Sequence, residues 1–150
     1  MSKLTFYHQK RRDGALRTGV ELNDERILEN YEPGDSPQDS ALLWFVDVRC
    51  SGEPIPSQPE AVRQWLLERG GAVGPSLRQL AEDLAAGIDP DWPVKKEVPT
   101  ADGVSMVIYC SAIRRLSGRE IAGILSALAE HWPLVVGALG TYEHPMPVHG

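Results

Sequence analysis

The sequence predicts an α+β fold, in which one mainly antiparallel sheet of about five strands carries helices on one face as a two-layer sandwich. Two observations lead to this fold class. Segments in which apolar and polar residues alternate, as in strands, fill the first third of the chain and return near residue 104. Between and after them lie segments with apolar residues at i, i+3, i+4 and i+7, which is the helical period.

The chain is predicted to form a single α+β domain over residues 1–140, because about 150 residues suit one hydrophobic core. The stretch 32–40, rich in Pro, Ser and Asp, is too short to separate two domains. The last ten residues, "TYEHPMPVHG", have no periodicity, so residues 141–150 are predicted to be a flexible C-terminal tail.

Five segments are predicted to be strands, over 3–9, 15–22, 26–31, 42–50 and 104–112. The pair Asp13-Gly14 favours a tight turn, and "NDE" is a second hairpin signal, so the first three strands form a meander. In the fourth segment, alternate side chains lie on opposite faces. The more apolar face is predicted to contact the core, and it carries Trp44, Val46, Val48 and Cys50. The opposite face carries Phe45, Asp47 and Arg49 and is predicted to lie at the surface.

Three segments are predicted to be helices, over 58–69, 75–86 and 118–132. Ser57 with Glu60 and Ser117 with Glu120 have the spacing of capping boxes, which start helices. Pro75 is predicted to begin the second helix, since proline is tolerated in a first turn. Pro133 is predicted to kink or end the third helix, because its ring displaces a backbone hydrogen bond.

Charge and motif content exclude several classes of function. The formal net charge of −6 disfavours general binding to nucleic acid or to an anionic membrane. No apolar run is long enough to span a membrane, and the N-terminus does not read as a secretory signal.

Two cysteines, Cys50 and Cys110, suit a reducing compartment, so a cytoplasmic location and buried thiols are predicted. Metal-ligand and nucleotide-loop spacings are absent from the sequence, so neither a metal nor a cofactor is predicted.

Three features are candidate binding sites, and each has a purely structural alternative. Asp47 and Arg49 are neighbours on one face of a strand, as in a substrate-positioning pair or an ordinary ion pair. Trp92 lies in a loop, where it can anchor a partner or fold back onto the core. A basic hairpin can contact phosphate or an acidic protein, or can simply be a solvated turn, and it comprises Lys10, Arg11, Arg12 and Arg17.

These features favour a non-catalytic interaction domain, meaning a small acidic subunit, adaptor or inhibitor that works through a protein-binding surface. Its expected partner is another protein or a second copy of the chain, and no specific small molecule is identifiable. One alternative is an enzyme whose site is assembled from Asp47, Arg49, Tyr109 and a histidine (His8, His131, His144 or His149). The other is a nucleic-acid contact through the basic hairpin. The sequence therefore leaves the question of enzyme activity open and leans against it.

Overall fold

The computed structural model describes residues 2–35, 41–88, 90–113 and 116–142, which form one antiparallel sheet and four helices. The elements in chain order are β1 Ser2–Arg11, β2 Leu16–Leu22, β3 Glu25–Glu32, β4 Leu42–Gly52, α1 Pro59–Glu68, α2 Gly70–Ala85, β5 Val94–Glu97, β6 Ser105–Ala112, α3 Gly118–Glu130, α4 Trp132–Gly137 and β7 Gly140–Thr141. The strands lie in the order β5-β6-β4-β1-β2-β3-β7, and every neighbouring pair is antiparallel. The predicted α+β class with a mainly antiparallel sheet is therefore confirmed.

Within the described residues the sheet has seven strands, where the sequence predicted about five. The two additional strands, β5 and β7, are four and two residues long and lie at opposite edges of the sheet. Segments this short contain too few positions for alternation to be recognised. The last residue of β7, Thr141, is the first residue of the segment predicted to be a flexible tail, and residues 143–150 of that segment lie outside the described residues.

Two tight turns connect the first three strands, as the sequence predicted. Gly14 adopts a positive φ of 92°, and the Asp13 carboxylate accepts a hydrogen bond from the backbone N–H of Ala15. Asn23 and Asp24 both have positive φ, which is the geometry of a two-residue turn that matches strand twist. These turns fix the register of the meander.

One hydrophobic core joins a face of the sheet to the helices. The sheet side includes Phe6, Val46 and Ile108, each almost completely buried, and the helices add Leu66 and Leu125. The face of β4 with Trp44, Val46, Val48 and Cys50 is the core face, as predicted, and both thiols are buried. The opposite face of β4 is left outside this core.

The starts of the first two helices differ from the prediction. The N-cap of α1 is Gln58, which makes no side-chain cap bond, so the predicted capping box of Ser57 is wrong. α2 begins at Gly70, five residues before the predicted start, and Pro75 lies inside it. Val73 is fully buried one turn before the buried Leu77. Tertiary burial of this first turn outweighs the hydrogen bond that Pro75 removes.

The third predicted helix is confirmed at its start and divided near its end. Ser117 caps α3 with a complete capping box to Glu120. α3 ends at Glu130, and α4 begins at Trp132 with Pro133 in its first turn, as expected for a proline that cannot continue a helix. Among the described residues, no helix is both long and apolar enough to cross a membrane.

Candidate functional site

The sheet has a second face, here called the open face, which bears the side chains of Tyr7, Arg17, Glu29, Asp47, Arg49 and Tyr109. Its position follows from strand alternation, because Val46 and Val48 of β4 belong to the core and Asp47 and Arg49 point the other way. Two groups of polar and aromatic side chains lie on this face. They are the best candidate for a functional site.

The first group, here called the Asp47 cluster, joins Asp47, Arg49 and Tyr109. A nitrogen of the Arg49 guanidinium donates a hydrogen bond of 3.0 Å to the Asp47 carboxylate. The same guanidinium lies over the Tyr109 ring, with Cζ 4.3 Å from the ring centroid. Asp47 is directly opposite Tyr109 in the pairing of β4 with β6, so the sheet register brings the three together.

Burial and charge act in opposite directions on Asp47. Burial raises the pKa of this carboxyl above its ordinary value, while the hydrogen bond and charge of Arg49 lower it. Burial is the larger effect, since the Asp47 side chain is only 16% exposed. The carboxylate is therefore held under its arginine partner rather than presented to solvent.

The second group, here called the Glu29 cluster, is centred on the carboxylate of Glu29. Arg17 and Arg26 pair with it at nitrogen–oxygen distances of 3.0 and 2.8 Å. The Tyr7 hydroxyl donates a hydrogen bond of 3.3 Å to the same carboxylate. Burial, followed by the charge of Glu29, raises the pKa of Tyr7, so this hydroxyl remains a donor at neutral pH. The Glu29 carboxylate therefore forms ion pairs with two arginines and accepts a hydrogen bond from Tyr7.

Gly19 makes the contact between Tyr7 and Glu29 possible. Gly19 lies opposite Tyr7 in β1–β2 pairing and opposite Glu29 in β2–β3 pairing, so it stands between the two residues. A Cβ on Gly19 would be 2.3 Å from the Leu28 carbonyl oxygen and 2.5 Å from the Tyr7 hydroxyl. Only glycine leaves space for the tyrosine to reach across the strand.

Both arginines of the Glu29 cluster also contact tyrosine rings. Cζ of Arg17 is 4.8 Å from the centroid of Tyr31, and Cζ of Arg26 is 4.7 Å from that of Tyr142. A shallow depression of about 460 Å³ opens between these side chains and Glu29. Together with Arg49 on Tyr109, the open face carries three arginine–tyrosine contacts of the cation–π type.

The arginines are more exposed than the carboxylates they contact. The Arg49 side chain is 48% exposed against 16% for Asp47. Arg17 and Arg26 are 24% and 28% exposed, against 7% for Glu29. The outermost charged groups of both clusters are therefore guanidinium groups, although the whole chain is acidic.

The four residues of the predicted basic hairpin do not share one surface. Arg17 belongs to the open face, whereas Lys10 lines a crevice beside α3 and α4 on the other side of the sheet. Arg12 is exposed near the turn, and the Arg11 backbone N–H pairs with Ala15 within it. The hairpin thus divides its charges between the two sides of the sheet.

Trp92 and the histidines also have defined places. Trp92 is partly buried and packs against the core. His8 contacts Trp44 and lies 2.7 Å from the Thr18 hydroxyl, and burial lowers the pKa of His8 to about 4. His131 follows the last residue of α3, while His144 and His149 lie outside the described residues.

The structure brings together Asp47, Arg49 and Tyr109, three of the four positions that the sequence combined into a hypothetical active site. The fourth position, a histidine, is missing from this group within the described part of the chain. His8 lies on the opposite side of the sheet. Nor do the described residues include a group of three potential ligand side chains that would hold a metal ion.

Sequence reasoning missed Tyr7, Gly19, Glu29 and Arg26, which form most of the Glu29 cluster. Alternation in "TFYHQ" and "RILENY" was a signal for a second face, but strand register was needed to bring these residues together.

Comparisons with protein families, curated proteins and solved structures found no match to this chain.

Proposed function

We propose that the protein is a non-catalytic interaction domain that binds another protein through the open face of its sheet. The observation that carries this proposal is the set of three arginine–tyrosine contacts, whose guanidinium groups are the outermost charged groups of the Asp47 and Glu29 clusters. Arginine and tyrosine, with tryptophan, are the residue types that are most enriched among the binding hot spots of protein interfaces.

The proposal takes the molecule as a two-layer sandwich, with helices covering one face of the sheet and leaving the other available. Support comes from the shared core, in which buried residues of all four helices pack with the Trp44 face. An antiparallel sheet with one covered face needs no second cover for its own stability.

We also assign the protein to the cytoplasm, on the basis of its two thiols.

We infer the chemistry of the partner from the charge layout. Arg17, Arg26 and Arg49 are held in place by buried carboxylates and aromatic rings, so they lose little freedom on binding. Such sites match Asp or Glu side chains on a partner, since a guanidinium can bind a carboxylate through two parallel hydrogen bonds. The partner is therefore a protein with an acidic surface.

This layout favours the interaction domain over the two alternatives. An enzyme built on Asp47, Arg49 and Tyr109 would need a histidine that the described residues do not supply on this face. A nucleic-acid contact would need the hairpin cations together, but Arg17 is paired with Glu29 and Lys10 lies on the other side of the sheet.

The test begins with the untagged protein purified from its native cells and identification of the protein that accompanies it. The purified partner is then titrated against the parent, Arg49→Ala and Arg17→Ala by surface plasmon resonance. We expect each variant to weaken binding by about tenfold or more. The association rate of the parent should fall steeply as salt is added, because charge complementarity accelerates encounter.

Arg78→Ala is the matched control, because Arg78 is an exposed arginine on α2, away from the open face. It should bind as tightly as the parent, and thermal unfolding should show that all variants are folded. Equal affinity of the parent, Arg49→Ala and Arg17→Ala would disprove the open face as the binding surface. If light scattering shows a dimer that Arg49→Ala dissociates, the partner is a second copy of the chain instead.

A further inference from the structure

A crevice on the helix side of the sheet is separate from the open face. It lies between the strands and helices α3 and α4, and its volume is about 270 Å³. Most of its wall is apolar, supplied by Leu16, Trp44, Ile124, Leu128 and Val135. This volume would hold about nine water molecules at about 30 Å³ each, so it suits a ligand of roughly ten non-hydrogen atoms.

The polar residues that line the crevice are one lysine and two histidines. They are His8, Lys10 and His131, and no Asp or Glu is among the described residues that line it. In a chain with 21 acids and 15 lysines and arginines, this is a local reversal of charge. It favours an anion over a cation as occupant.

Lys10 supplies the charge of this site. Burial lowers the pKa of His8 to about 4, so His8 is neutral at pH 7. Nδ1 of His8 is engaged with the Thr18 hydroxyl, which leaves Nε2 as the ring nitrogen that a ligand can use. Lys10 makes no ion pair within the described residues, although acids are abundant elsewhere on the surface.

We propose that this crevice binds a small amphipathic carboxylate, with its apolar body against Trp44 and Leu128 and its carboxylate at Lys10. An aromatic or aliphatic monocarboxylic acid has this combination of one negative end and one apolar end. Binding pockets of this type combine apolar walls with a few polar groups that orient the ligand. The apolar body provides affinity, and Lys10 distinguishes the acid from a neutral molecule of the same shape.

The experiment compares three probes that differ only in their polar end: 4-phenylbutyrate, 4-phenylbutanol and 4-phenylbutylamine. Each is titrated into the full chain at pH 7 while ¹H–¹⁵N NMR spectra are recorded. We expect the acid to bind about tenfold more tightly than the alcohol and the amine to bind most weakly. The largest shifts should be those of the Trp44 indole and the Ala127 and Leu128 amides.

Two variants locate the site. Lys10→Met keeps the length of the side chain but removes its charge, so the acid should lose its advantage while the alcohol binds as before. Ala127→Phe places a ring at an exposed helix position that lines the crevice, and it should weaken both acid and alcohol. The controls are Lys95→Met and Ala61→Phe, exposed positions outside the crevice, which should bind like the parent.

Three results would overturn the proposal. The first is no saturable binding of any probe at millimolar concentration. The second is equal affinity for acid and alcohol in the parent, which would remove the role of Lys10. The third is an equal effect of Lys95→Met and Lys10→Met, or shifts that map away from Trp44, which would mean that the acid binds elsewhere. None of these results depends on the open face or its protein partner.

Discussion

Asp47 shows at the scale of one residue how burial and pairing compete. Its carboxylate is mostly covered, yet its partner Arg49 remains half-exposed and in contact with water. Replacing Asp47 therefore does not strand a buried positive charge. This separates the pair from fully buried ion pairs, in which loss of one partner costs several kcal/mol.

For Asp47→Asn we expect a change of no more than about 1 kcal/mol in the free energy of unfolding at pH 7. Burial raises the pKa of Asp47 in the folded state, so the folded state binds its proton more tightly than the unfolded state. From about pH 4 upward, ionisation of Asp47 thus lowers the stability of the parent, and this loss is complete once pH exceeds the folded-state pKa. Urea unfolding of parent and variant between pH 3 and pH 7 measures the difference.

Asp47→Asn has no such proton, so its stability relative to the parent should rise with pH and then level off. Other carboxyl groups titrate in both proteins and cancel in the comparison. A relative stability that falls as pH rises would mean that the ion pair with Arg49 outweighs burial, and that the folded-state pKa of Asp47 is lowered.

Cys50 and Cys110 are expected to behave as small core residues. Both are at most 1% exposed, and burial raises the pKa of each thiol to about 12. A thiol reagent at pH 8 should label both slowly in the native protein and rapidly in urea. Replacing either by Ala should cost about 1 kcal/mol or somewhat more through lost burial and a small cavity. Rapid native labelling of one thiol would contradict its place in the core.

At the scale of elements, the two predicted capping boxes provide a matched comparison. Ser117 accepts the backbone N–H of Glu120 at 3.2 Å and starts α3, whereas Ser57 lies outside α1. Ser117→Ala should lower the free energy of unfolding by about 1 kcal/mol. Ser57→Ala should change it by less than about 0.5 kcal/mol. Chemical denaturation of both variants is the measurement, and equal losses would mean that Ser57 caps α1 after all.

The difference between Ser57 and Ser117 has a physical reason. Both carry Glu three residues later, so local sequence favours a cap at each. In α1, however, Pro59 is the first helical residue and Gln58 is the extended residue before it. Proline fixes its own φ at a helical value and disfavours the helical region for the residue before it. The proline therefore moves the boundary one residue beyond the serine.

At the scale of the whole molecule, Trp132 connects the sheet to three helices. Its ring lies 4.8 Å from that of Phe6 in β1, and its indole N–H donates to the Leu66 carbonyl of α1 at 3.0 Å. A Cβ on Gly70, the first residue of α2, would be 2.7 Å from this ring. The residue itself begins α4 and is 1% exposed. One side chain thus joins α1, α2 and α4 to the sheet.

Trp132→Phe should lower the free energy of unfolding by about 2–3 kcal/mol, as measured by urea denaturation. The smaller ring leaves a cavity, and the Leu66 carbonyl loses its buried donor near a helix end, where no intrahelical partner is available. The control is Trp92→Phe, at a partly buried tryptophan beside the core, which should cost about 1 kcal/mol or less. Equal losses in the two variants would contradict the anchoring role of Trp132.

The sequence by itself determined the features that depend on neighbours along the chain. Alternation identified the five longer strands and the core face of β4, the Asp13-Gly14 pair identified a turn, and Ser117 identified the start of α3. Each follows from local backbone preferences and side-chain period, which need no knowledge of distant residues.

Only the tertiary structure decided what depends on pairing between distant segments. Strand register placed Tyr109 beside Asp47 and Glu29 across Gly19 from Tyr7, although these partners are separated by many residues in sequence. Burial of Val73 extended α2 past a proline, and alternation sent Lys10 and Arg17 of one hairpin to opposite sides of the sheet. A one-residue change in register would reverse every such face, so local sequence cannot fix which side chains meet.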